Sequence, residues 1–178
     1  MKNLSNVEIA LLQIIYIEKK ISGYTINKLI IERGYRNWAG IGTTSIYAGL
    51  KKLETKKLIA SQNIIKKTGK GPQPNIYSIS QSGKKILLQE IKTIIESCRD
   101  SGRFALALAA YPILKNQDIV ESLKKRTSFL LSVKSNIEKT YEHQGGNKLP
   151  LNVKALFKHS LGLVSENLRF TDYLLSEL

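Results

Sequence analysis

Ile46, Leu50 and Leu53 recur at spacings of four and three within Gly42-Thr43-Thr44-Ser45-Ile46-Tyr47-Ala48-Gly49-Leu50-Lys51-Lys52-Leu53-Glu54, so this segment folds as a short helix with one buried stripe. Thr44, Tyr47 and Lys51 line up about half a turn away and give the helix an outer face that donates hydrogen bonds. Thr43, Thr44 and Ser45 fall in the first turn, where unpaired backbone N–H groups and the positive end of the helix dipole point outward. Such a helix suits a nucleic-acid groove. Taken in isolation, the plainer reading is a solvated amphipathic helix whose threonines cap it.

Its neighbours bear on the choice. Ser5-Asn6-Val7-Glu8 has capping-box form and opens an apolar segment with Val7, Leu11, Ile14 and Ile15, which predicts a helix over 5–19. Ser22-Gly23 starts a second helix that reaches about Arg33, with Ile26, Leu29 and Ile30 inward, Asn27 and Lys28 outward, and Gly34 as its stop. Arg36 to Ile41, with Trp38, reads as a link to the 43–54 helix.

The runs 58–65 and 75–80 are rich in β-formers. Between them Lys66-Lys67-Thr68-Gly69-Lys70-Gly71-Pro72-Gln73-Pro74 carries two glycines and two prolines, hence a loop at a hairpin tip, and three lysines, hence a basic one. Basic loops are common solubilising devices; this one follows the 43–54 helix, and the two are placed to bracket one stretch of nucleic-acid backbone. A helix over 83–99, a boundary near Asp100-Ser101-Gly102, a short helix around 103–111 and long helices over 117–143 and 151–176 complete the expected order. The domains expected are thus 1–99 and 100–178.

Charge sharpens the picture. The 178 residues carry a formal +14, and residues 1–90 hold 15 Lys and Arg against 5 Glu and no Asp, a balance of +10. A basic excess concentrated in the front half attracts polyanions by counterion release, nucleic acid foremost and an anionic membrane surface next. Cys98 is the single cysteine, which excludes an intrachain disulfide and a cysteine-based zinc cluster and fits a cytoplasmic location. The uncharged apolar stretch Phe104 to Leu114 is broken by Pro112 and too short to span a bilayer, so neither a signal peptide nor a membrane partner is expected. His143 and His159 lack the paired carboxylates of a metal or catalytic site, and no phosphate-binding glycine loop or nucleophile elbow occurs. An enzyme, a metal and a cofactor are not expected.

Gly23-Tyr24 opening the second helix, Ile46-Tyr47 with Leu50-Lys51-Lys52-Leu53-Glu54, Leu58-Ile59 opening the hairpin, and Tyr77-Ser78-Ile79-Ser80 with Gly83 leaving it resemble the PadR family of transcriptional regulators. Residues 103–178, with a break at Leu149-Pro150-Leu151 and a final Glu166 to Leu175 segment, resemble the helical dimerisation domain of the longer PadR-like members, including the virulence activator subgroup. Departures exist: Lys57 stands where many members have glycine ahead of the Leu-Ile pair, Gln73 and Asn75 lie where the wing often carries Arg or Lys, and Phe170 lies where tryptophan is common.

The resemblance implies a mainly α fold, an N-terminal winged helix-turn-helix with a two-stranded wing and a C-terminal antiparallel long-helix dimerisation domain. It implies a cytoplasmic homodimer that binds double-stranded DNA at a pseudo-palindromic operator, more often as repressor than activator, under a small-molecule effector to which no site is assigned. Phe104, Tyr111 and Phe129 are suited to lining an effector cleft, although core packing is the plainer reading of them. In a helix-turn-helix the second helix of the pair enters the major groove. Thr44, Tyr47 and Lys51 are then expected at the groove floor, Thr43 and Ser45 at phosphate, Lys52 at the edge and Lys28 on the supporting helix, with Lys66, Lys67 and Lys70 as wing contacts. Tyr47 is equally suited to packing against the first helix.

Dimerisation has its own sequence argument. Val120, Leu123, Thr127, Leu130, Lys134, Ile137 and Tyr141 alternate three and four apart as a heptad seam, and Val153, Phe157, Leu161, Val164 and Leu168 form a comparable stripe. The two stripes can pack on each other within one chain, across a homodimer, or both. Two other classes stay open at this stage: a helical protein–protein adaptor with a degenerate winged domain, and a basic protein held peripherally on anionic lipid.

Overall fold

The computed structural model describes residues 4–63 and 75–178. α1 (Asn6–Glu18) begins where expected: the Ser5 hydroxyl accepts from the Glu8 backbone N–H at 3.3 Å, and the Glu8 carboxylate accepts from the Ser5 N–H at 2.8 Å. Ile9, Ala10, Leu11, Leu12, Ile14 and Ile15 are all fully buried, so this helix is sealed on more sides than the single stripe of the sequence suggests. The reason is its surroundings. α2 (Gly23–Glu32), α4 (Thr43–Thr55), α6 (Ser101–Ala109) and strand β3 (Asn75–Ile79) all pack on it, and a helix apolar all round belongs in such a centre.

Two short elements lie beyond what periodicity reveals. The link at 36–41 folds into a further helix, α3 (Tyr35–Ala39), set off by Gly34 at φ +70°, with Tyr35 buried and the Trp38 indole N–H donating to the Arg33 carbonyl at 3.2 Å. The wing also has three strands rather than two. β1 (Ile21–Ser22) pairs antiparallel with β3, Ile21 opposite Tyr77, and β3 pairs on its other side with β2 (Ile59–Asn63), Ile59 opposite Ile79 and Ser61 opposite Tyr77. Strands of two residues and helices of five carry too few positions to show a repeat.

α4 ends in a Schellman motif, with the Leu58 N–H on the Leu53 carbonyl (2.9 Å) and the Lys57 N–H on the Glu54 carbonyl (2.8 Å). Lys57 occupies the left-handed position, at φ +57°. A glycine meets that backbone requirement without cost, and this chain meets it with a strained lysine. Lys57→Gly is expected to stabilise the chain by about 0.5–1 kcal/mol, the relief of strain outweighing the extra freedom of the unfolded glycine, and the urea midpoint reads the gain.

α5 (Gln81–Ser97) is capped by Ser80, whose hydroxyl accepts from the Gly83 N–H at 3.0 Å, and α6 is capped by Asp100, which accepts from the Arg103 N–H at 2.7 Å. The chain divides into two compact units, 1–94 with 98–114 and 95–97 with 115–178. The expected division at 99/100 thus falls ahead of α6, which the structure groups with the first unit. Leu106 and Ala107 are fully buried, the Leu106 carbonyl accepts from the Gln13 side-chain amide at 2.8 Å, and the Arg103 guanidinium binds the Leu4 carbonyl, Asn6 and Glu90.

The second unit is a pair of long helices, α7 (Asn116–His143) and α8 (Leu151–Ser176), joined through a 3₁₀ turn at Gly146–Lys148. Tyr141 meets Phe157 edge-on at 5.3 Å, and the Arg126 guanidinium donates to Asn167 at 2.9 Å. Falling numbers on α7 face rising numbers on α8, so the pair is antiparallel. Arg126 is 1% exposed and also donates to the Ile95 carbonyl at 3.2 Å, and these hydrogen bonds offset part of the cost of burying its charge.

Candidate nucleic-acid interface

α4 is oriented as its periodicity requires. Ile46, Leu50 and Leu53 are sealed inside, while Thr43, Thr44, Tyr47, Lys51 and Lys52 are exposed. Neither Lys51 nor Lys52 pairs with an acid among the described residues, so the outer face keeps its positive charge. The helix begins at Gly42 with no side-chain cap, which leaves the first-turn N–H groups without the acceptor that a capping threonine would supply.

Three placements differ in detail from expectation. Ser45 is half-buried and donates its hydroxyl back to the Gly42 carbonyl at 2.5 Å, so that proton is occupied within its own turn. Lys28 is exposed but paired with Glu32 at 3.6 Å, a solvated contact that offsets part of its charge. Tyr47 is 53% exposed, and a Cβ built on Gly23 would lie 3.3 Å from its ring, so one edge of the tyrosine rests on the start of α2. Lys66, Lys67 and Lys70 lie outside the described residues.

Sequence reasoning missed Arg36. From α3 its guanidinium donates to the Thr43 hydroxyl at the head of α4 and to the Asn27 side chain on α2 at 3.4 Å, which ties together three helices beside the exposed face. No motif or repeat marked it, because α3 itself left no signal. Tyr24 is largely exposed in the first turn of α2.

The position of α4 depends on a close approach to α1. A Cβ on Gly49 would lie 2.7 Å from Leu11 Cδ1 and 2.9 Å from Val7 Cγ1, so the glycine sets the interhelical distance. At the end of the same helix Lys56 pairs with the buried carboxylate of Glu8. Burial pushes the Glu8 carboxyl up, but the Lys56 ammonium and the Ser5 N–H outweigh it and hold the group below its ordinary 4.5. A folded value below the unfolded one contributes stability that is complete well above pH 4.5 and is lost as pH falls through the folded value. Glu8→Gln is therefore expected to cost about 1–2 kcal/mol at pH 7 and progressively less on acidification, a convergence that thermal melts from pH 7 to pH 3 register.

In the second unit the expected seams are partly covered within the chain. Leu123, Leu130 and Val164 are buried in the α7–α8 pair, while Val120, Thr127, Lys134, Ile137, Tyr141, Val153, Phe157, Leu161 and Leu168 are half-buried. The large apolar side chains left in solvent lie elsewhere on the same helices, among them Leu131, Leu151, Leu156, Leu163 and Tyr173. The inward turn of the buried positions follows from antiparallel contact, which satisfies a heptad stripe with the chain's own second helix. Phe104 is buried in the first unit, and Tyr111 and Phe129 are half-buried. Among the described residues no helix is long and apolar enough to cross a membrane.

No protein-family model matches the chain, and no curated protein does. Among solved structures the chain is similar to Bacillus subtilis PadR in complex with operator DNA, at 18% identity and a TM-score of 0.44, with 99% of this chain and 100% of that one covered. A Streptococcus mutans protein is similar at 21% identity and a TM-score of 0.43, covering 95% and 98%. A PadR-like transcriptional regulator from Bacillus cereus is similar at 17% identity and a TM-score of 0.42, covering 99% and 97%.

Proposed function

We propose that this chain is a double-stranded DNA-binding transcriptional regulator, a homodimer that reads a pseudo-palindromic operator and acts as a repressor. The observation that carries the reading is the division of α4 into a sealed Ile46, Leu50, Leu53 side and an open side with Thr43, Thr44, Tyr47 and two unpaired lysines, on a chain of formal charge +14. A helix free on that side can enter a major groove, donate from Lys51 to guanine O6 and N7, and touch thymine methyls with threonine. Thr43, Lys52, Lys28, Arg36 and the first-turn backbone N–H of Ser45 are assigned to phosphate, and Lys66, Lys67 and Lys70 are assigned the same role as expected from the sequence; these position the domain more than they select sequence.

Residues 1–99 are assigned to DNA and 100–178 to dimerisation. For the homodimer the supporting feature is the apolar surface that α7 and α8 leave uncovered, Leu156 at 65% and Leu163 at 52% exposure, seven residues apart and hence on one face of α8. A small-molecule effector is part of the proposal only as the family resemblance implies it, and catalysis is not part of it.

Selection of bound duplexes from a random pool tests the reading. The expected product is a palindromic sequence whose half-sites lie one helical turn, about 10 base pairs, or a multiple of it apart. Recovery of no preferred sequence at any salt concentration would sink it. Light scattering is expected to return about twice the 20.0 kDa chain mass at micromolar concentration, and the 20.0 kDa species alone would remove the dimer.

A further inference from the structure

The first unit holds a groove of about 740 Å³ that the DNA-binding reading leaves without a role. Its apolar surface comes from Ile17 on α1, Ile79 on β3 and Ile113 in the 3₁₀ turn after α6, and its cationic groups are Lys19, Arg33 and Lys84. Ile17 is 41% exposed, a large aliphatic side chain left in water beside lysines. Arg33 is neutralised by Glu18 at 2.9 Å, but Lys19 and Lys84 have no acidic partner among the described residues. Lys84 instead stands over the Tyr16 ring at 5.4 Å from its centroid. Two positive charges therefore remain uncompensated beside a hydrocarbon surface.

The backbone at Lys19 is a second, separate observation. Its φ of +63° and ψ of −53°, with the Lys20 N–H on the Glu18 carbonyl at 2.7 Å, define a γ-turn of the positive-φ kind, which a residue bearing a Cβ adopts only under strain. A glycine would relieve that strain, yet a lysine occupies the position and is held beside the groove.

Apolar walls select a hydrocarbon, since burying apolar surface is favourable in proportion to area, and the two free ammonium groups select an anion over a neutral or cationic head. The volume lies within the range of about 300–1,000 Å³ usual for small-molecule sites. We propose that this groove binds a single-chain aliphatic carboxylate, with the chain along the isoleucines and the head at Lys19 and Lys84. Nothing in the proposal depends on DNA binding.

Titration calorimetry of the full chain with sodium decanoate, below its micellisation threshold, tests it. One saturable site per chain is expected, with affinity rising by up to about fourfold for each added buried methylene from hexanoate to decanoate. Decanol and decyltrimethylammonium are expected to bind at least about tenfold more weakly, and Lys19→Ala with Lys84→Ala to weaken decanoate by about tenfold while thermal unfolding stays unchanged. Ile17→Ser is expected to flatten the chain-length dependence. Absence of saturation, equal binding of acetate and decanoate, or an affinity indifferent to both lysines overturns the proposal. Loss of duplex affinity in the double alanine variant, with no decanoate bound by the parent chain, also overturns it and moves these lysines to the nucleic-acid surface.

Discussion

Replacing Gly83 by alanine is expected to destabilise the chain by about 3 kcal/mol or more and to lower its melting temperature by on the order of 6–12 °C. A Cβ at this position would lie 2.1 Å from the Leu58 carbonyl oxygen and 3.0 Å from Ile79 Cγ1. The first obstacle is backbone, which has no rotamer to yield. That carbonyl already accepts the Ser80 N–H at 3.0 Å, with the Ser80 hydroxyl also at 3.0 Å, and the same hydroxyl caps α5 through the Gly83 N–H. Moving α5 away from β2 to admit one methyl therefore strains the helix cap and the strand boundary together. Gly162→Ala in α8 is the control. No atom lies within 4 Å of its added Cβ, so the higher helix propensity of alanine is expected to raise stability by about 0.8–1 kcal/mol. A Gly83→Ala protein that melts with the parent would show that α5 and β2 pack more loosely than these distances require.

Charge reversal at Lys51 and Lys52 is expected to abolish measurable binding to the selected duplex at about 0.15 M salt, while leaving the melting temperature within the range of a surface change of about 0.5 kcal/mol. Both side chains are exposed and unpaired, so nothing in the fold leans on them. Substitution by alanine separates their roles. Removing one lysine from a phosphate lowers the slope of log affinity against log salt by about 0.9, so the double alanine variant is expected to lose up to about two units. If Lys51 reads a base, its single alanine variant should also relax preference at one position of the operator, a change that a phosphate-binding lysine does not produce. Unchanged affinity and slope in the double variant would place the interface elsewhere.

Both predictions rest on glycines and lysines that can be read directly, but their consequences could be read only in part. The motif Tyr77-Ser78-Ile79-Ser80 with Gly83 was legible as a likeness, yet the reason for the glycine is a carbonyl 25 residues earlier in the chain, at Leu58. Lys57 was legible only as a lysine where the resembling sequences often have glycine, and the αL position that gives this meaning is a backbone angle. Ser5-Asn6-Val7-Glu8 announced a capping box, but the pairing of Glu8 with Lys56 joins residues 48 apart. Periodicity located the long helices because each repeats its pattern several times. It passed over β1 and α3 because neither is long enough to repeat, and with α3 it passed over Arg36.

The order of helices, the inward stripe of α4, the capping box of α1 and the concentration of positive charge in the front half were determined by the sequence alone, because each depends on residues within a few positions of one another or on simple addition. Tertiary structure decided the rest: how far the two apolar stripes would cover each other inside the α7–α8 pair, which lysines would be neutralised, how closely α4 could approach α1, and that α6 would join the first unit. Those outcomes depend on distances between residues far apart in the chain, and local pattern carries no information about such distances until the chain has packed.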